Sequence, residues 1–174
     1  MKNNLVFQNI VRFIILMLIQ VVLLNHVRMG GYITPMLYVL FLLMLPTQLD
    51  RMWMLVIGFL TGLTADIFSG MVGYNTAACT LVAFLRVTFA DKIITNNDDE
   101  KKDTPSFRTA GFLPFTSYSL LLLFTFHFVY FNLLIFCLRD MGRILLSAIL
   151  STVATWLLAL LYQSFLPRRE KKGR

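Results

Sequence analysis

Residues Met52 to Tyr74 read MWMLVIGFLTGLTADIFSGMVGY. The run Met52–Ser69 carries a single ionisable side chain, Asp66. A helix needs about 20 mainly apolar residues to cross the ~30 Å hydrocarbon core of a bilayer, and this run nearly supplies them. At about 100° per residue, Gly58, Thr61, Gly62, Ala65, Asp66 and Ser69 fall on one face. Val56, Leu60, Leu63, Thr64 and Ile67 fall on the other, with Phe59 at the border. Small residues four apart let a neighbouring backbone come close, which is how helices associate where water supplies no drive between them. The stretch predicts a membrane span with one packing face.

Outward from it, five more apolar runs mark spans at residues 5–24, 35–49, 75–90, 112–138 and 144–166. The second is short and is opened by Thr34 as N-cap, with Pro35 at the first helical position. The fourth requires Arg86 to snorkel outward. The first exceeds a signal-peptide core, carries Arg12 and ends without a small-residue cleavage site, so it is expected to be retained. The runs are continuous rather than alternating, which favours helices over a barrel. Composition agrees: 57% of residues are hydrophobic and 14% charged, against roughly 45–50% and roughly 25% in soluble domains. The expected fold is all-α, a polytopic membrane protein of about six transmembrane helices forming a single membrane domain over 1–174.

Charge placement orients such a bundle. With both termini cytoplasmic, thirteen of the 16 Lys and Arg residues face inward and only Arg28, Arg139 and Arg143 face outward. Residues 95–109 then form a mixed-charge cytoplasmic linker containing Asp98 to Asp103 and broken by Pro105, and 167–174 a basic cytoplasmic tail. The net charge of +7 is spread over chain ends and connections rather than gathered in an aromatic-interleaved patch, which argues against nucleic acid.

Asp66 is the sharpest polar signal. A carboxylate at the centre of a span costs ~2.5–3.5 kcal/mol on insertion scales, somewhat less near the end, where Asp66 falls. Two roles stay open: packing through hydrogen bonds to a neighbouring span, or contact with a partner or ligand. If Asp66 only packs, an amide should serve nearly as well. Gln20, His127 and Asn132, and the stripe Ser147, Ser151, Thr155 and Ala159, read as interhelical packing groups. Cys79 and Cys137 read as small buried apolar residues, with no metal-ligand spacing. The motifs of hydrolases, zinc proteases and phosphate-binding loops do not occur, so no enzymatic activity, metal or cofactor is expected.

The run G-x-x-x-G-L-x-x-D-x-x-S-G-x-x-G-x-N, here Gly58, Gly62, Leu63, Asp66, Ser69, Gly70, Gly73 and Asn75, followed by an apolar helix closing at Ala83 to Arg86, resembles the bacterial rod shape-determining MreD family. The resemblance implies a non-enzymatic, multi-pass protein of the bacterial inner membrane, embedded in membrane lipid and belonging to the cell-elongation machinery. It implies as partners a bitopic MreC-like protein, the peptidoglycan glycosyltransferase–transpeptidase pair and the actin-like MreB filaments. Gly58, Gly62, Asp66, Ser69, Gly70, Gly73, Asn75 and Arg86 are the candidate partner-binding or helix-packing residues. The alternative is a small-solute binder resembling the substrate-binding component of energy-coupling vitamin transporters, with Asp66 and Asn75 lining its pocket. Topology is checked by reporter fusions after Arg174 and within 95–109. Both are expected to be cytoplasmic, and an exported alkaline-phosphatase-active tail would reverse the orientation.

Overall fold

The computed structural model describes residues 2–24, 32–47, 49–71, 73–93, 105, 111–136 and 138–165. Among them the regular structure is helical: α1 (Lys2–Val22), α2 (Val39–Leu43), α3 (Arg51–Ser69), α4 (Tyr74–Ile93), α5 (Phe112–Ile135) and α6 (Met141–Phe165), with a 3-10 turn at Leu138–Asp140 before α6. Helices α3, α5 and α6 are long and apolar enough to cross a membrane. The apolar part of α1, Val6–Val22, is shorter, and α4 carries Arg86, Asp91 and Lys92. Large side chains such as Trp53, Ile67, Leu113 and Phe165 are exposed. A helix set so apolar outside as well as inside belongs in lipid. The chain is a membrane-embedded helical protein.

Chain neighbours pack as antiparallel pairs, most extensively α3 on α4, then α4 on α5 and α5 on α6. What they surround is the main departure from expectation. Residues 35–49 do not form a spanning helix. Their helix is α2, five residues long, about 7.5 Å at 1.5 Å per residue. Every residue from Pro35 to Pro46 is buried, and Val39, Leu40, Leu42 and Leu43 have no exposure at all. The apolar character that marked a lipid-facing span instead marks the centre of the core.

An unwound chain in such a place must find hydrogen-bond partners, because lipid supplies none. The surrounding helices provide them through side chains. At the start of the segment, Ser151 Oγ of α6 accepts from Thr34 N at 3.0 Å and Thr155 Oγ1 from Met36 N at 3.0 Å. Gln20 of α1 bridges two peptides, donating to Pro35 O at 3.2 Å and accepting from Leu37 N at 2.8 Å. At its end, Tyr118 of α5 donates to Leu43 O at 3.3 Å and Arg12 of α1 to Met44 O at 3.2 Å. Arg86 of α4 donates to Leu45 O. Three successive carbonyls are thus capped by three different helices. Gln20 meets the start of the segment and Arg12 its end, so the segment runs antiparallel to α1.

Three expectations change accordingly. Thr34 is not an N-cap: α2 begins at Val39, five residues later, with Tyr38 in the N-cap position. Arg86 does not snorkel outward: it is 1% exposed, drawn inward by the carbonyl end of the buried segment. The fifth span ends at Ile135, because Phe136 turns into the left-handed region at φ 42° and stops the helix. The linker 95–109, apart from the buried Pro105, and the tail 167–174 lie outside the described residues.

Gln20→Leu leaves one peptide N–H and one carbonyl of the core without their partner, at about 1–3 kcal/mol each. It is expected to lower the melting temperature in detergent well below that of Leu18→Ala, whose side chain is 57% exposed on the same helix. Equal losses would show that the segment does not depend on its side-chain partners.

Candidate functional site

The motif run folds into the hairpin of α3 and α4, and its glycines make the close approach. A Cβ at Gly62 would lie 2.5 Å from Thr76 Cα and 2.6 Å from Asn75 O, both backbone atoms of α4. At Gly58 it would lie 2.5 Å from Ala83 Cβ and 3.1 Å from Cys79 O. The two helices therefore touch backbone to backbone at one level and almost so at the other. With Gly58 and Gly62, Thr61, Ala65 and Asp66 are buried on the same face, while Val56, Leu60, Leu63 and Ile67 are exposed.

Asp66 joins the two helices through both of its functional parts. Its backbone carbonyl accepts the amides of Gly70 and Met71, closing α3 as Gly70 enters the left-handed region at φ 64°. Its carboxylate opens α4. Oδ1 accepts from Asn75 N at 3.1 Å and Asn75 Nδ2 at 3.0 Å. Oδ2 accepts from Thr76 N at 2.9 Å and Thr76 Oγ1 at 2.6 Å. The residue in the N-cap position is Gly73, whose carbonyl takes the first helical bond from Ala77 N and which has no side chain to offer. Asp66 supplies that missing cap from the other helix. It meets the amides that a local N-cap side chain would meet, and its negative charge sits at the positive end of the α4 dipole. Gly73 itself adopts φ 80°, which allows the tight entry.

The network extends one step further. Tyr38, at the start of α2, donates its hydroxyl to Asn75 Oδ1 at 2.8 Å. Tyr38, Asp66 and Asn75 are 2%, 3% and 1% exposed, so the chain from hydroxyl to amide to carboxylate is sealed from solvent. Tyr38 and Thr76 were not among the sequence candidates. Thr76 adjoins Asn75 in the motif, and a short turn between two helices is the signal that would have included it. Tyr38 comes from a distant segment and carries no such signal.

The remaining candidates separate. Ser69 is exposed at the end of α3. Arg86 lies eleven residues along α4 from Asn75, at the opposite end of the hairpin, beside Met54 and Leu45. His127 sits elsewhere in the core, between Leu123 O at 2.8 Å from Nδ1 and Thr155 Oγ1 at 3.3 Å from Nε2. Among the described residues no group of His, Cys, Asp or Glu is arranged to hold a metal. The exposed side of the hairpin forms an open groove of about 740 Å³, lined by Leu55, Phe59, Leu63, Leu81 and Phe84 with Gly73, Thr76, Ala77 and Thr80. Its walls are apolar. No protein-family model, no curated protein and no solved structure matches this chain.

These contacts argue against the expectation that an amide could replace Asp66. An asparagine offers one acceptor oxygen where four donors converge, and turns its NH2 group, itself only a donor, toward the other two. Asp66→Asn is expected to lower stability by about 2 kcal/mol or more, since hydrogen bonds to a charged group are worth ~1.5–3 kcal/mol each. Gly62→Ala is expected to be as damaging, because the obstructing atoms are backbone, whereas Leu63→Ala is tolerated. Thermal melting of the purified variants in detergent checks all three, and an Asp66→Asn protein as stable as wild type would refute the capping role.

Proposed function

We propose that the chain is a non-enzymatic inner-membrane component of the bacterial cell-elongation machinery. It scaffolds or regulates peptidoglycan synthesis and so maintains rod shape. It acts with a bitopic MreC-like protein, the glycosyltransferase–transpeptidase pair and MreB filaments. Its chain passes six times through the inner membrane, counting the sheathed segment 35–46 as the second passage, with both termini cytoplasmic. The antiparallel run of that segment along α1 supports an even number of passages, and the distribution of cations supports the orientation.

One observation favours this reading over a solute binder. Both carboxylate oxygens of Asp66 are already taken by four donors of its own chain, and Asn75 Oδ1 is taken by Tyr38. A carboxylate that recognises a solute must keep lone pairs free to face it. Here the polar groups of the motif hold two helices together, and what they leave exposed is apolar helix surface, suited to other helices and to lipid.

A mild-detergent pull-down from a rod-shaped bacterium expressing the chain tests the proposal. The expected result is recovery of a bitopic membrane protein and a peptidoglycan polymerase, together with loss of rod shape on depletion. Recovery of a small polar solute without membrane partners would favour the alternative.

A further inference from the structure

Two helices in contact leave a valley along their outer seam, and α3 and α4 nearly touch backbone to backbone. The open groove of about 740 Å³ is that valley. Among the described elements α3 has no other extensive neighbour, so its side of the valley lies bare. The lining falls into three rows of four-residue spacing. Leu55, Phe59 and Leu63 form the α3 wall. Gly73, Ala77 and Leu81 form one row of α4, and Thr76, Thr80 and Phe84 the row beside it. Rows spaced by four are the ridges and furrows into which another helix packs. From Gly73 to Phe84 they extend about 16 Å, or three turns.

The floor of the valley asks nothing polar of an occupant. Thr76 Oγ1 already donates to Asp66 Oδ2 at 2.6 Å, and Thr80 Oγ1 to Thr76 O at 2.7 Å. At the Asp66 end the floor is low: Gly73 and Ala77 are small, and a Cβ on Gly73 would meet nothing within 4 Å. At the other end Leu81 and Phe84 stand above it, both exposed. An incoming backbone therefore approaches most closely at Thr76 and Ala77, and close approach is what associates helices in lipid.

Other occupants fail on shape or chemistry. The chain's own stretches 25–31, 95–109 and 167–174 carry charge, glycine or both, and hold no apolar run of three turns. A twofold-related second copy would set groove against groove, and two concave faces enclose a void. A head-to-tail copy would propagate into rings or filaments instead of ending in a pair. Acyl chains cover any apolar surface alike and draw no advantage from rows at helical spacing. A helix held in a bundle of its own has only its outward face to offer, whereas a valley with two walls embraces a helix from both sides. The shape thus suits a lone apolar span.

We propose that this valley is the docking site for the single membrane-spanning helix of a bitopic partner, which lies on Thr76 and Ala77 between the α3 wall and Phe84. The proposal rests on the reading above that such a partner exists, and adds where the chain holds it.

The test uses the full chain co-expressed with the bitopic MreC-like protein of the same bacterium. A photoreactive benzoylphenylalanine placed at Ala77, which is exposed, is expected to crosslink to that protein's membrane helix. The same group at Leu157, 51% exposed on α6, is expected not to. Ala77→Trp fills the floor and is expected to lower recovery of the bitopic protein by about tenfold or more, while Leu157→Trp leaves it unchanged. Melting in detergent shows whether both variants fold, and if Ala77→Trp does not, the crosslinks decide. Recovery of the bitopic protein with no crosslink from Ala77, or with equal crosslinks from both positions, overturns the docking site and leaves the functional reading standing. So does a folded Ala77→Trp protein that recovers its partner like wild type. Crosslinks from Ala77 only to a second copy or only to lipid overturn it as well. A wild type that recovers no bitopic protein overturns both proposals.

Discussion

A peptide group inside a membrane-embedded core has no water to turn to, so each N–H and C=O there must be met by the protein. The rest of this molecule is arranged around one segment whose few internal bonds, such as Leu40 N to Leu37 O and Met44 N to Leu40 O, leave peptides at both of its ends unmet. From Thr34 to Leu45 the chain makes little helix, and its backbone is completed by Gln20, Ser151 and Thr155 at one end and by Tyr118, Arg12 and Arg86 at the other. A regular helix there would satisfy itself and need none of these residues. The irregular one ties α1, α4, α5 and α6 to a common centre. Each outer helix therefore has a fixed rotation and depth, since turning any of them would withdraw a partner from the core.

The α3–α4 hairpin solves a related problem at one of the two membrane boundaries. A helix beginning at Gly73 has no side chain to cap it, and the neighbouring helix supplies Asp66 instead. The same residue ends α3 through its carbonyl, so the exit of one helix and the entry of the next are set by one side chain and one peptide. Gly58 and Gly62 allow the contact distance that brings the carboxylate within reach. The glycines and the carboxylate are thus one device, and Tyr38 links it to the central segment through Asn75.

Much of the polar content of this chain is consequently structural, and that bears on how its function should be sought. Polar residues in membrane spans are commonly read as markers of a ligand or ion path. Here Asp66, Gln20, His127 and the α6 hydroxyls are occupied by peptides and by one another. Arg86 likewise serves the core, on the Leu45 carbonyl beside Met54 and Tyr118, although its Nε meets no acceptor.

Hydropathy alone determined that this is a helical membrane protein, because runs such as Met52–Ser69 and Leu145 to Leu166 have one stable environment and one backbone solution within it. Spacing determined the inward face of α3, because 100° per residue leaves Gly58, Gly62 and Asp66 no choice but to share a side. Neither could determine what the second apolar run does. A run that faces lipid and a run enclosed by other helices have the same composition, and only packing distinguishes them. For the same reason the directions of Arg86 and Gln20 were not legible: their acceptors are backbone carbonyls, which every sequence has and none advertises. Nor could spacing reveal that Asp66 caps α4 rather than packing on it, since the four donors it meets converge only when the hairpin closes at Gly70 and Gly73. The tertiary structure decided these points by bringing an unpaired peptide, or an uncapped helix, within hydrogen-bond distance of a side chain with capacity to spare.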